Sequence, residues 1–255
     1  MKAQNYQTKR DNVIIYAFLV ALLFFFLVVD YGSFDELSGS LFFVGDGEVV
    51  LILCTIVTLV LVCRICGWDL MDKTVNYEVL SGHKRAEVYF GRVFIGLFWS
   101  VVSCMVMTAI PVLVFSIIKG WGESLGFLTA LKHYMLLLFP LLRLACEITL
   151  LTFLINNCYA AMLIGWVLVA FSMMGGMVLE ELFDTHLTIH LATTNISALF
   201  RFDNYSTMEI GGETVIVFKN TLEPSLVIST IVVSLLVGGS CLAIGYLIFR
   251  KRDLR

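Results

Sequence analysis

Long apolar runs alternate with short polar segments along the whole chain. A helix needs about 20 mainly apolar residues to cross a lipid bilayer. Six runs approach or exceed this length, and they predict membrane-spanning helices at about 13–29, 49–63, 93–118, 134–155, 158–179 and 226–249. The pattern therefore predicts an all-α, polytopic membrane protein in which residues 1–255 form a single transmembrane domain.

Composition supports this interpretation, because 59% of the 255 residues are apolar and only 15% are charged. Soluble proteins carry roughly 25% charged residues, and the mean hydropathy of this chain is +0.92. So few charges cannot cover a water-soluble surface. The chain is therefore expected to lie mostly in lipid, without a large soluble domain.

Lysine and arginine residues concentrate on one side of the predicted six-helix path. The segment before the first span carries three, residues 64–92 carry five and residues 250–255 carry four, whereas the opposite side carries four. Cytoplasmic loops of membrane proteins are enriched in these residues. Both termini and the 67–92 loop are therefore predicted to be cytoplasmic, and the 180–225 loop to lie outside.

The predicted outer segments are acidic, since residues 30–48 carry five acids and no base and residues 180–225 carry seven acids and two bases. Such a surface attracts cationic compounds, although outer loops that merely lack the positive charge of cytoplasmic loops give the same pattern. The start of the 180–225 loop predicts one or two amphipathic helices at, or dipping into, the outer interface. A short hairpin or irregular turn is expected around Gly211 and Gly212.

Motifs of enzymes are missing from the sequence, which has neither a G-x-x-x-x-G-K-[ST] phosphate-binding loop nor an H-E-x-x-H zinc motif. His186 and His190 lie four residues apart near Asp184 and could form a weak metal site, but an interfacial helix without a metal is the preferred interpretation. Cys63 and Cys66 form a C-x-x-C pair without the second pair that a zinc site needs. The chain is predicted to have no catalytic activity, metal site or cofactor of its own.

Arg143 and Glu147 are the two charged residues inside the fourth predicted span. Four residues apart on a helix, they share a face and can neutralise each other. A charge in the middle of a membrane costs roughly 2.5–3.5 kcal/mol on insertion scales. The pair therefore either lines a translocation path or forms a locked contact that fixes helix packing.

The 67–92 loop has the mixed charge and helical periodicity of short helices that lie across the membrane face. A turn at Ser81, Gly82 and His83 is expected to separate them from the helix that enters the third span. Leu70, Val75, Leu80 and Val88 are predicted to face inward, and five charged residues to face water: Asp72, Lys73, Glu78, Lys84 and Arg85. The aromatic residues among these charges predict a docking element rather than a solvated loop.

Residues 72–74 (DKT), 78–85 (EVLSGHKR), 88–92 (VYFGR) and 246–254 (YLIFRKRDL) carry a resemblance to a known family. They resemble the loop after the second helix and the closing segment of ABC-2-type exporter permeases. The layout of six helices with an outer insertion before the last one is similar too. The chain looks closest to the bacterial permeases of antimicrobial-peptide resistance and lantibiotic immunity, but Asp72 replaces the customary Glu-Gly and the turn lacks proline.

The resemblance implies the transmembrane subunit of an exporter in the bacterial plasma membrane, moving a hydrophobic or cationic compound such as an antimicrobial peptide. ATP and Mg²⁺ would be bound by a separate cytoplasmic ABC ATPase, and a second permease chain, identical or related, would complete the transporter. No nucleic acid is implied. The residues expected to contact the ATPase are Asp72, Lys73, Thr74, Tyr77, Glu78, Ser81, Gly82, His83, Lys84 and Arg85.

Two alternatives stay open. An ion-coupled secondary transporter or channel would use Arg143 and Glu147 as its membrane-buried polar site. A membrane enzyme would need catalytic side chains clustered at one depth, which the sequence pattern does not indicate.

Overall fold

A computed structural model of the protein describes residues 16, 19–20, 38–45, 47–183, 191–200, 202, 205–210, 213–218, 222 and 224–251. Most of the first predicted span lies outside these residues, as do His186, His190 and Asp184. The described part of the chain is mostly helical.

Nine helices and two strands are described. In chain order they are α1 (Gly39–Gly45), α2 (Gly47–Val62), α3 (Trp68–Met71), α4 (Thr74–Leu80), α5 (Arg85–Lys119), α6 (Phe127–Ile155), α7 (Cys158–Phe183), α8 (Ala192–Ala198), β1 (Tyr205–Ile210), β2 (Glu213–Phe218) and α9 (Pro224–Lys251). A single wide π-helical turn, Cys63–Gly67, joins α2 to α3 without a break.

Four helical stretches of the described residues are long and apolar enough to cross a membrane: Val49–Met71, Arg85–Lys119, Phe127–Ile155 and Leu226–Lys251. Helix α7 adds a shorter apolar stretch, Cys158–Ser172. These helices indicate a membrane-embedded protein. They extend beyond the predicted spans, because α5 begins at Arg85 rather than near residue 93 and α6 at Phe127 rather than near residue 134. Charged residues mark where a helix leaves the apolar region, not where it ends.

Helix α6 lies at the centre of the bundle and packs against α2, α5, α7, α8 and α9. Its side chains Leu137, Leu141 and Leu144 are buried. At one end of the bundle a cluster of aromatic rings joins α5, α6 and α9. The ring of Tyr89 lies 4.8 Å from that of Phe153 and 5.7 Å from that of Phe249, measured between centroids.

The two basic segments that the structure describes lie at the same end of the bundle, here called the loop end. The Arg85 guanidinium donates a hydrogen bond to the Arg250 carbonyl at 2.6 Å, which joins the start of α5 to the end of α9. The rings of Trp68 and Tyr159 are 6.1 Å apart, which places α3 beside the Asn156–Asn157 turn. This neighbourhood agrees with the chain path used to predict orientation.

The opposite end, here called the hairpin end, holds α1, α8 and the strands. The backbone amide of Ser40 donates to the Trp121 carbonyl at 2.8 Å, and that of Phe218 to the Ser124 carbonyl at 2.8 Å. Strands β1 and β2 form an antiparallel hairpin whose last pair is Ile210 with Glu213. The hairpin predicted around residues 211–212 is therefore confirmed, and it is a β-element in a fold predicted to be all-α.

Helix α8 is buried in the bundle rather than lying on its surface. Ala192 and Ile196 are buried, and the helix contacts α2, α6 and α7. It starts beside the middle of α6 and ends near the hairpin end, where the ring of His133 hydrogen-bonds to the Leu199 carbonyl at 2.9 Å. The predicted amphipathic insertion thus contains a helix whose apolar side meets protein.

Candidate functional site

Backbone geometry at two turns shapes the loop between α3 and α5. Lys73 adopts a left-handed conformation (φ 58°), which is uncommon outside glycine, and it separates α3 from α4. The Thr74 hydroxyl donates to the Asp69 carbonyl at 3.1 Å across this turn. Gly82 (φ 97°) then reverses the chain between α4 and α5, as the sequence predicted. Together the turns fold α3 and α4 back onto the base of α5.

A buried arginine fixes this arrangement. The Arg92 guanidinium donates to Asp69 Oδ2 from Nε at 3.2 Å and from Nη2 at 3.1 Å, and to Glu78 from Nη1 and Nη2 at 2.8 Å each. Its side chain is only 3% exposed. Paired, doubly hydrogen-bonded contacts of this kind are the strongest that arginine makes. The three residues, here called the Arg92 clamp, therefore tie α3 and α4 to α5.

Arg92 is one of the five basic residues of segment 64–92, but the sequence pattern predicts no role for it. The available signal was an arginine that begins an apolar run and follows two nearby acids, Asp69 and Glu78. Glu78 was predicted to face water, and its side chain is 46% exposed; its carboxylate also binds Arg92.

The predicted ATPase-contacting residues lie together at the loop end, but they differ in how exposed they are. Arg85 is only half-exposed, because it bonds to Arg250 at the end of α9. Leu80 was predicted to face inward, and this is wrong: the side chain is 77% exposed and that of Tyr77, three residues earlier on α4, is 73% exposed. The other exposed members are Asp72, Lys73, Thr74, Ser81, Gly82, His83 and Lys84.

Tyr77 and Leu80 lie on the same face of α4, since residues three apart on a helix are neighbours. Val75, on another face, is buried and holds the helix to the bundle. Lys73 and Lys84 lie in the turns that flank α4. The loop end therefore presents an apolar pair with basic neighbours on a helix that the Arg92 clamp holds in place.

A second candidate site lies between α6, α7 and the start of α8. Arg143 Nε donates to Glu147 Oε1 at 2.7 Å, and the exposed fraction is 8% for the arginine side chain and 36% for the glutamate. The pair lines a cavity of about 360 Å³. The remaining lining residues are Leu144, Ile148, Leu150, Leu151, Leu154, Gly165, Leu168, Val169, Ser172, Leu191, Ala192 and Thr193.

The Arg143–Glu147 contact agrees with the predicted mutual neutralisation, and the pair also lines a cavity. Sequence reasoning could not find the cavity, because its third wall comes from residues 191–193, which are far away along the chain.

We expect Arg143→Ala to destabilise the protein more than Arg143→Ala/Glu147→Ala does, by about 1–2 kcal/mol, because a lone charge is costlier in the bundle than a neutral pair. Thermal unfolding of both variants in lipid nanodiscs measures the difference. Equal midpoints would mean that the remaining carboxylate is fully hydrated.

No group of three or more histidine, cysteine, aspartate or glutamate side chains within the described ranges could hold a metal ion. Comparisons of the chain with models of protein families, with curated proteins and with solved structures found no match.

Proposed function

We propose that the chain is the transmembrane permease subunit of an ATP-driven exporter of the ABC-2 type, in a bacterial plasma membrane. A separate cytoplasmic ATPase would bind ATP and Mg²⁺, and its surface would receive helix α4. The permease chain itself carries no catalytic group in this scheme. The proposal includes six spans, with both termini and the loop end on the cytoplasmic side.

One observation carries the proposal: a short helix at the basic end of a bundle of apolar helices exposes Tyr77 and Leu80 while the Arg92 clamp fixes its base. Large apolar side chains on a charged, polar loop are typical of a contact surface with another protein. The resemblance of residues 72–92 to the coupling loop of the permease family adds to this argument.

The rigid base matters for the proposed mechanism. A partner that moves when it hydrolyses ATP can move α5 only if the helix it pushes does not bend away. The Arg92 clamp connects α4 to α5 by side-chain contacts in addition to the Gly82 turn. Closure of the ATPase would thus tilt α5, and two permease chains moving in this way would open a path outward.

An ion-coupled transporter is the second candidate, and the cavity beside Arg143 and Glu147 favours it. Such a transporter needs no ATPase, so the docking surface distinguishes the two functions.

A pull-down of the tagged chain from its native membrane tests the proposal. We expect a soluble protein that hydrolyses ATP and contains a phosphate-binding loop to co-purify in stoichiometric amount. Tyr77→Asp/Leu80→Asp should reduce its recovery at least tenfold, because two charges would face the partner's apolar groove. Leu128→Asp, at a leucine of the hairpin end that is 64% exposed, should leave recovery unchanged.

A folded chain that brings down no ATPase would contradict the proposal, as would an ATPase that binds the Tyr77→Asp/Leu80→Asp variant as well as the original. A second permease chain in the eluate would establish the expected pairing.

A further inference from the structure

We propose that the cavity between α6, α7 and residues 191–193 binds a small molecule with a primary ammonium group and an apolar chain. The inference rests on the proposed function only in making this molecule the class of exported cargo. At about 360 Å³ the cavity lies near the lower end of the range for small-ligand sites. It admits a single-chain amine, or one side chain of a larger cargo, but not a folded peptide.

The position of the cavity suits a ligand that arrives through the lipid. Glu147 lies eight residues from the end of α6 and Arg143 twelve, which corresponds to about 12 and 18 Å along the helix axis. Both depths fall within a hydrocarbon core that is about 30 Å thick. A charged ligand at this depth needs a partner of opposite charge, because water cannot replace it.

The cavity offers a carboxylate rather than a guanidinium. Glu147 is 36% exposed, whereas Arg143 is 8% exposed. One carboxylate oxygen, Oε1, accepts from Arg143 Nε, and within the described part of the chain no hydrogen bond engages Oε2. A cation is therefore favoured over an anion at this wall.

A hydroxyl on the opposite wall lacks a hydrogen bond. Thr193 is 3% exposed and lines the cavity, and its Oγ1 has no partner among the described residues. Buried polar groups in proteins are almost always bonded, so an orphaned one points to a missing partner. A primary ammonium has three N–H donors. Its N–H groups suit the two kinds of unbonded oxygen at this cavity, Glu147 Oε2 and Thr193 Oγ1, whereas a quaternary ammonium has no N–H to donate.

The rest of the lining is apolar and runs toward the loop end. Leu151 and Leu154 continue the face of α6 that carries Glu147, and Leu168 and Val169 face them from α7. Seven residues separate Glu147 from Leu154, which is about 10 Å along a helix. A medium-length alkyl chain fits this strip, and decylamine is a suitable probe.

Binding of radiolabelled decylamine to the chain alone, in phosphatidylcholine nanodiscs, tests the proposal. We expect Glu147→Gln to weaken binding at least tenfold and Thr193→Val about threefold. Ser172→Ala removes a hydroxyl that lines the same cavity but already donates to the Val169 carbonyl at 2.7 Å, and it should leave the affinity within twofold. Decanol and decyltrimethylammonium should compete at least tenfold more weakly than decylamine.

Unchanged binding to both Glu147→Gln and Thr193→Val would overturn the proposal, as would equal competition by decanol, which indicates partition without recognition of the amine. Thermal unfolding checks that the variants are folded. If Glu147→Gln does not fold, Thr193→Val provides the test. The assay contains no ATPase, so its outcome is independent of the pull-down. Specific binding of decylamine, together with a pull-down that recovers no ATPase, would support the ligand site and contradict the exporter function.

Discussion

Arg92→Met should raise the free energy of the folded loop between α3 and α5 by about 3 kcal/mol, at the lower end of the cost of removing one partner from a buried ion pair. The variant leaves Asp69 and Glu78 close together with no cation between them. Partial exposure of the two carboxylates keeps the effect at that lower end. Hydrogen exchange of residues 68–84 in nanodiscs measures this loss of stability, and we expect the exchange to become about a hundred times faster.

The matched control removes all three charges. Asp69→Asn/Glu78→Gln/Arg92→Met leaves no repulsion, and we expect it to recover at least half of the lost protection. Arg92→Lys should fall between the original and Arg92→Met, because an ammonium keeps the charge but cannot bind both carboxylates with paired hydrogen bonds. Equal exchange in the triple variant and in Arg92→Met would show that packing, not charge, holds the loop.

Gly82→Pro is expected to release α4 from α5 almost completely. Proline fixes φ near −65°, whereas Gly82 has φ 97°. Proline also lacks the amide that donates to the Val79 carbonyl at 3.1 Å. The chain must then leave the turn by another path, which carries Glu78 away from Arg92. We expect loop protection to fall by a factor of about 100, equivalent to about 3 kcal/mol, and any co-purifying ATPase to be lost.

Gly82→Asn provides the control, since asparagine tolerates positive φ better than other residues and keeps the amide. It should cost about 1 kcal/mol and retain the partner. Membrane insertion should be unaffected in both variants, which protease protection of a terminal tag can follow. A Gly82→Pro protein with native loop exchange would show that the turn does not determine how α4 is placed.

The helical spans could be predicted because lipid imposes a simple rule on sequence. Long runs of apolar residues indicate helices, since a helix satisfies its backbone hydrogen bonds within one segment, where lipid offers no partner. The ends of the helices were misjudged for the same reason. Residues such as Lys132 and Arg92 end the apolar pattern, but they continue α6 and α5 because helical hydrogen bonding does not depend on polarity.

The site was predictable only where its signal is local. The Gly82 turn and the i, i+4 spacing of Arg143 and Glu147 are properties of short segments, and both are present in the structure. Exposure of Leu80 is different, because it depends on which face of α4 meets the bundle. The face of α4 that meets the bundle is set by the burial of Val75 and by the ion pair between Arg92 and Glu78. The wall that Thr193 adds to the cavity likewise depends on tertiary folding.

The π-helical turn at Cys63–Gly67 sets the direction in which α3 faces. A π turn holds about one residue more than an α turn, and one residue corresponds to a rotation of about 100° around an α-helix. The turn is held from the side, since Cys63 Sγ lies 3.4 Å from Thr152 Oγ1 and the Arg64 guanidinium lies over the Trp68 ring. Without the extra residue, the side chain at position 69 would face roughly a quarter-turn away from Arg92. The direction in which α3 faces therefore depends on the number of residues between it and α2. Inserting or deleting one residue within Cys63–Gly67 would disturb this direction more than replacing a side chain would.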